Sequence, residues 1–149
     1  MRLCLDDNGI IVEWVRRKIG NVEDFGACEA MGLTKEDGSP LAGAVYHQFM
    51  PTYKTIMISF AAENPKWATH NTVGMFLRYP FAQLGVHKLR AAVAHTNVRS
   101  LKLTEGVGFT KEATLRDEFG KGVHAVMFRM LENDFNRLYG NGQGKLQAA

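Results

Sequence analysis

The chain has 149 residues, enough for one domain with a sizeable core and too few for two. A hydrophobic share of 46% with 22% charged residues is ordinary for a soluble globular protein. The net charge of +3 favours an anionic partner but falls well short of a nucleic-acid-binding tail, so nucleic acid is not the expected partner.

The cysteines and the opening residues bear on the compartment. Cys4 and Cys28 form neither a disulfide framework nor a metal-ligand spacing, which indicates a reducing environment and no metal. The opening MRLCLDDNG is not typical of a signal peptide, because its apolar part is too short and acidic residues follow at once. No apolar run approaches the length needed to cross a bilayer. We therefore expect a cytoplasmic protein without a membrane partner.

The first third of the chain predicts a helix, a hairpin and a strand. Residues 6–20 form an amphipathic pattern, with Asp6, Asp7 and Asn8 as candidate N-caps and Gly20 as the end. The segments FGACEAMGL and LAGAVYHQF, joined by the turn signal TKEDGSP, predict a hairpin rich in small residues. The run TIMISFAA has little polar interruption and predicts a strand in the middle of a sheet.

The rest of the chain alternates between the two periodicities. A second helix should follow the loop ENPKWAT and end at Gly85, with Pro80 causing a kink or an early end. HKLRAAVA then predicts a strand, residues 97–106 a short helix, and KEATLR and VHAVMFRML a last strand pair. Residues 132–138 add half a helix, and we expect residues 139–149 to be a disordered tail after a single domain over 1–138.

This order predicts one α/β domain whose mixed, mostly antiparallel sheet carries helices on both faces. The strand–helix–strand unit over residues 56–94 should be a right-handed crossover with parallel strands. Ligand sites in open sheets gather at the carboxyl ends of such strands, where the loops ENPKWAT and AHTN meet.

Two helix beginnings in these loops predict an anion site. The helices that start near Thr69 and Asn97 point free N–H groups towards the loops, and Lys66, Arg99 and Lys102 add positive charge. Such a pair suits a ligand with several phosphates. The alternative is that Asn97 and Ser100 only cap a helix, as Asn and Ser commonly do.

One pattern resembles a known family. It has the form N-x-R-S-x-x-L-x-E-x-x-G-F and consists of Asn97, Arg99, Ser100, Leu103, Glu105, Gly108 and Phe109. It resembles the fourth-helix signature of the GNAT superfamily of acyl-CoA N-acyltransferases, especially the branch of the ribosomal-protein N-acetyltransferases. WATHNT, YPFAQLG and AVYHQF are more similar to small GNAT proteins of phages and prophages, and the resemblance extends over residues 56–131.

The resemblance implies acetyl-CoA as the co-substrate. Its pantetheine arm would pair with the backbone of the segment Ser59, Phe60, Ala61 and Ala62, while Asn97 would bind an amide of the arm and Ser100 a phosphate. The family's pyrophosphate loop, Q/R-x-x-G-x-G/A, falls on residues 63–68, where only Ala68 fits. Lys66 and the Thr69 hydroxyl would then compensate for the missing glycines, and Trp67 would either stack on the ligand or pack in the core.

The expected reaction is direct attack of an amine on the thioester in a ternary complex. Glu63 and His95, each at the end of a strand, are the predicted general bases, with His47, Glu29 and His124 as outside candidates. Glu63 could instead be a solvated loop carboxylate, and His95 could satisfy a backbone carbonyl. The family's fourth-helix Tyr is absent, which leaves water or Thr104 as the proton donor.

We therefore expect an N-acetyltransferase that acts on a primary amine: a protein N-terminus, a lysine or a small amine. One alternative is a catalytically inert CoA-binding or interaction module, which the missing Tyr and the altered loop favour. Another is a phage protein associated with nucleic acid, which would bind RNA or DNA with a steep salt dependence and would not bind CoA.

Overall fold

The computed structural model describes residues 2–5 and 9–148, with side chains through Gly140. The strands are β1 Arg2–Leu5, β2 Cys28–Thr34, β3 Pro40–Met50, β4 Thr55–Ala62, β5 Lys88–Ala94, β6 Thr110–Leu115 and β7 Ala125–Leu131. The helices are α1 Ile10–Ile19, α2 His70–Arg78, α3 Val98–Gly106 and α4 Glu132–Ala148. No helix in these ranges is long and apolar enough to cross a membrane.

The strands form one sheet in the order β1-β2-β3-β4-β5-β7-β6. Neighbours run antiparallel except β4 and β5, which α2 connects as a parallel crossover. The predicted single α/β domain with a mixed, mostly antiparallel sheet is confirmed. So are the hairpin, the crossover and the helices on both faces.

Helix α1 lies close against one face of the sheet, the α1 face. Gly32 and Gly43 are cross-strand partners beneath it, and a Cβ on Gly43 would lie 2.8 Å from Cγ2 of Ile11 and 3.0 Å from Cγ2 of Val15. The missing side chains therefore allow the helix backbone to approach the strands. Ile11 and Val15 are buried there with Val45 in a small cluster.

The main core lies on the opposite face, the α2 face. Buried residues of β3, β4, β5 and β7, among them Tyr46, Ile58, Leu89 and Phe128, pack there against α2 and against Phe135 of α4. This core spans both sides of the parallel strand pair and holds the two parts of the sheet together.

The structure differs from the predicted elements at three places. Strand β1 was not predicted, and its four residues are half-buried or exposed at the edge of the sheet. Helix α1 begins at Ile10 with Gly9 as N-cap, and the predicted caps Asp6, Asp7 and Asn8 lie outside the described residues. Helix α4 runs to Ala148, beyond the predicted half helix, and Tyr139 at the start of the expected tail is buried and donates a hydrogen bond to the Val107 carbonyl at 2.5 Å.

Candidate functional site

The site lies where β4 and β5 separate. These strands pair only at Thr55–Lys88, Ile56–Leu89 and Met57–Arg90, although β4 continues to Ala62 and β5 to Ala94. The gap beyond Met57 is a cleft with a volume of about 950 Å³, lined by residues from both faces of the sheet. The cleft therefore lies between the two strands and is bordered by side chains of both the α1 face and the α2 face.

One wall of the cleft is a strand edge. Strand β4 pairs with β3 as far as Ala42–Ala62, but its edge towards β5 has no strand partner from Ile58 onwards among the described residues. An extended ligand can pair with such an edge as an added strand. Ser59, Phe60, Ala61 and Ala62, the predicted pantetheine segment, all line the cleft.

The N–H groups of the loop that follows β4 form hydrogen bonds within the loop itself. Pro65–Trp67 form a turn of 3₁₀-helix capped by Asn64, whose Oδ1 accepts from Lys66 N at 3.0 Å. Ala68 N donates to the Pro65 carbonyl at 3.1 Å, and Thr69 N donates to the Trp67 carbonyl at 2.8 Å. These three donors are thus satisfied within the loop, so the phosphate cradle of the glycine-rich pattern is not reproduced.

Thr69 and Trp67 are both held by contacts within the protein. The Thr69 hydroxyl caps α2, because it accepts from Thr72 N at 3.2 Å within a capping box. Trp67 is 6% exposed and packs edge-on against Phe60 and Phe76. Of the two uses considered for Trp67, packing is the one that the structure shows, although the residue also lines the cleft.

The start of α3 forms the opposite rim of the cleft. Asn97 caps the helix, since its Oδ1 accepts from Ser100 N at 3.2 Å, and Asn97, Arg99 and Ser100 all line the cleft. Asn97 is thus a helix cap at the edge of the cleft, and its contact with the pantetheine arm stays a prediction. Thr104 is fully buried and donates to the Ser100 carbonyl at 2.7 Å, so its hydroxyl is not directed to the cleft as a proton donor.

The cleft does not include every predicted residue. The binding residues Lys66, Ala68, Thr69 and Lys102 are not among its lining residues, and neither is the predicted base His95. His95 stacks on His124 with ring centroids 4.7 Å apart, and its Nδ1 accepts from His124 N at 2.9 Å.

The predicted base Glu63 does line the cleft, and its carboxylate forms an ion pair with Lys35 at 2.7 Å. That ion pair raises the pKa of Lys35, through the hydrogen bond first and the charge second.

Three side chains of the α1 face form a cluster that the sequence did not indicate. Met57 pairs with His47 on one side and Arg90 on the other, so all three project from the same face into the cleft. The His47 ring is hydrogen-bonded to the Ser59 hydroxyl at 2.9 Å and packs against Phe25 with centroids 4.9 Å apart. Burial, and secondarily the charge of Arg90, lowers the pKa of His47 to about 4.

No sequence spacing could have assembled this cluster, because its members lie on three strands. The alternation of side chains along β3 and β5 shows which residues share a face with His47 and which with Arg90. It does not show that both are neighbours of Met57, because the register between strands is a property of the folded sheet. We call Phe25, His47, Met57, Ser59 and Arg90 the inner end of the cleft.

No protein-family model matches the chain, and a comparison with curated proteins gives no match. Solved structures do match. A mutant spermidine N-acetyltransferase from Vibrio cholerae superposes with a TM-score of 0.74 at 15% identity, covering 92% of this chain and 99% of the other. A dodecameric structure of the Vibrio cholerae enzyme gives 0.75 at 16% identity, covering 91% and 96%.

The Vibrio cholerae spermidine N-acetyltransferase in complex with CoA and spermine superposes with a TM-score of 0.70 at 15% identity, covering 90% and 96% of the two chains. Since each coverage is at least 90%, the similarity extends over nearly the whole of both chains. At this low identity it is a similarity of architecture. The chain therefore has the fold of the Vibrio cholerae spermidine N-acetyltransferases, which is the GNAT-type α/β fold predicted from its sequence.

Proposed function

We propose that this protein is an acyl-CoA N-acyltransferase that transfers the acetyl group of acetyl-CoA directly to a primary amine. The observation that carries the proposal is the separation of β4 from β5, which leaves a backbone edge at Ser59–Ala62 along a cleft lined by residues of both faces of the sheet. A similar chain has been solved with CoA and spermine, which supports CoA as the donor and an amine as the acceptor.

In this proposal the pantetheine arm extends along β4 and its phosphates approach the start of α3. Ser100 and Arg99 line the cleft there, and the first N–H groups of α3 add the positive end of the helix dipole. Lys66, Thr69 and Lys102 would act at longer range, since they do not line the cleft. Because the loop over residues 64–69 donates its N–H groups internally, we assign more of the phosphate binding to α3 than to α2.

The chemistry asks little more of the protein. An amine that has lost its proton attacks the thioester carbonyl, the thiolate of CoA leaves, and the amide product retains the acetyl group. Glu63 is our preferred general base, acting through water, because it lines the cleft where His95 does not. The relation to the ribosomal-protein branch and to phages, and the cytoplasmic location, remain predictions from the sequence.

Thermal unfolding with CoA tests the proposal. Saturating CoA should raise the melting temperature by roughly 5 °C, because a ligand bound only to the native state stabilises it. Ser100→Asp should abolish this rise, since it places a negative charge where the phosphates bind. Thr110→Asp is the matched control, because Thr110 is exposed on β6 and outside the cleft.

Acetyl transfer is measured separately by thiol release from acetyl-CoA with a panel of amines. A CoA-dependent shift together with thiol release supports the enzyme. A shift without thiol release for any amine would instead identify an inert CoA-binding module. The absence of a shift in the unsubstituted protein would contradict the proposal at its first step.

A further inference from the structure

Arg90 lies at the narrow end of the cleft. It belongs to the last parallel pair, Met57–Arg90, beyond which β4 and β5 separate. Its side chain projects from the α1 face and lines the cleft, and its charge is felt by His47. It therefore lies beyond the end of the predicted donor arm, on the side from which an acceptor would enter.

The guanidinium of Arg90 has no anionic partner among the described residues. Its Nε is buried and makes no hydrogen bond. Two neighbouring cations do have a carboxylate partner, since Lys88 pairs with Glu112 at 3.0 Å and Arg129 lies 3.6 Å from the same carboxylate. Because a buried donor of a charged group is costly when it is left unpaired, the position suits an anionic ligand.

The surroundings supply no compensating negative charge. His47 beside it is neutral at physiological pH, and Met57 and Phe25 are apolar. Three carboxylates also line the cleft, those of Asp24, Glu63 and Glu118, but all three residues are exposed, and Glu63 is already paired with Lys35. The charge at the inner end, that of the half-buried Arg90, is therefore positive.

We propose that the acceptor is an amine that carries a carboxylate, and that Arg90 binds this carboxylate at the inner end of the cleft. The inference rests on the proposed N-acyltransferase function. A guanidinium matches a carboxylate bidentately, and its single charge is balanced by one carboxylate. Arg90 is a specificity-determining residue in this reading, and the uncompensated cation disfavours a polyamine.

Strand geometry bounds the size of the acceptor. Ser59, where the predicted donor arm ends, lies two residues beyond Met57 along β4, which corresponds to about 7 Å. The amine and the carboxylate of the acceptor must fit within that separation. Short amino acids meet this requirement, and so does a peptide whose first residue is Asp.

The test compares acceptors that differ only in the carboxylate. Thiol release from acetyl-CoA is measured with glycine, β-alanine and γ-aminobutyrate, each against its own amide, and with spermidine. Peptides that begin with Asp or with Asn distinguish a peptide acceptor from a free amino acid. We expect kcat/KM for the carboxylated member to exceed that of its amide by roughly tenfold to a hundredfold, the range for a hydrogen-bonded ion pair.

Substitution then assigns the preference to one residue. Arg90→Gln should reduce the ratio of carboxylate to amide to near one, while Arg90→Lys should retain part of it. Arg129→Gln is the matched control, because Arg129 is the cross-strand partner of Arg90 and is not a lining residue of the cleft. Circular dichroism and the melting temperature verify that each variant is folded.

The outcomes separate this inference from the proposed function. Turnover that prefers spermidine or the amides overturns the role of Arg90 and leaves the acyltransferase intact. A uniform loss for every amine in Arg90→Gln also overturns it, because Arg90 would then serve the donor or the reaction itself. If no carboxylated amine reacts the inference fails, and thiol release with spermidine or with the amides shows whether the proposed acyltransferase function holds without it.

Discussion

At the scale of single residues, the cleft owes its character to side chains that meet only after folding. Asn97 and Ser100 could be found from the sequence because a helix start places them three residues apart. His47 and Arg90 are 43 positions apart and become neighbours of Met57 through two different strand pairings. Local spacing therefore predicted the rim of the cleft but could not predict its inner end.

The burial of His47 has a consequence for stability as a function of pH. Its pKa is about 4 in the folded protein and near 6.5 in the unfolded chain, so between these values the unfolded chain binds the extra proton. The contribution of His47 to the free energy of unfolding is thus fully present above about pH 6.5 and is lost as the pH falls towards 4. We expect His47→Gln to remove about 1 to 2 kcal/mol of this pH dependence, a value reduced because the ring borders an open cleft.

The measurement is urea unfolding of both proteins at pH 7.5 and pH 4.5. The two free energies of unfolding should differ less in His47→Gln than in the unsubstituted protein, whatever the variant costs at neutral pH. An identical difference in both proteins would show that His47 is solvated. His87→Gln serves as control, because its ring is exposed and bonds only the Tyr53 carbonyl at 2.8 Å.

At the scale of elements, the sequence predicted the periodic segments and failed where tertiary contacts decide. Pro80 is predicted to kink α2 or to end it early, and the α-helix does end at Arg78, after which the chain continues through a π-helical turn over Tyr79–Gln83. Proline cannot donate to the Phe76 carbonyl, and the Tyr46 hydroxyl donates to it instead at 2.6 Å. Leu84 N then reaches back five residues to the Tyr79 carbonyl at 3.1 Å. A partner from a distant strand thus replaces the missing hydrogen bond.

Near both ends of the chain the structure contains contacts that the local sequence pattern does not indicate. YGNGQG has the composition of a disordered tail. Tyr139 is nevertheless drawn into the core, where it stacks on His70 with centroids 4.8 Å apart. Strand β1 is four residues long and forms only by pairing with β2, so no periodicity could identify it.

The close contact of α1 with the sheet predicts a sharp response to one methyl group. Gly43→Ala should destabilise the protein by about 1 to 3 kcal/mol, because the new Cβ would meet Cγ2 atoms of two stiff β-branched side chains, Ile11 and Val15. Chemical denaturation measures the loss. Gly106→Ala is the control, since it has no atom within 4 Å of the new Cβ and should change stability by less than about 0.5 kcal/mol.

If Gly43→Ala proved as stable as the unsubstituted protein, α1 would have to be able to move away from the strands. Such a movement would also alter the cleft, because Lys18, Ile19 and Gly20 at the carboxyl end of α1 line it. A shift of the helix would then appear as a change in KM for the amine with little change in the affinity for CoA.

At the scale of the whole molecule, topology was the most predictable property. The alternation of strand, helix and strand over residues 56–94 permitted few arrangements, and the predicted parallel crossover is the one observed. The sequence does not show after how many paired positions β4 and β5 separate. Three paired positions decide whether the sheet is closed or contains a cleft, and that depends on the packing of the entire core.

A cleft between two parted strands also has a kinetic meaning. Because the proposed donor arm lies along β4 and the acceptor at the inner end, both co-substrates can occupy the cleft together, and neither product has to depart before the second reactant arrives. We expect initial-velocity plots at several fixed amine concentrations to intersect, as they do for sequential addition. Parallel lines would instead report an acylated protein intermediate, for which the Ser59 hydroxyl beside His47 would be the residue to examine.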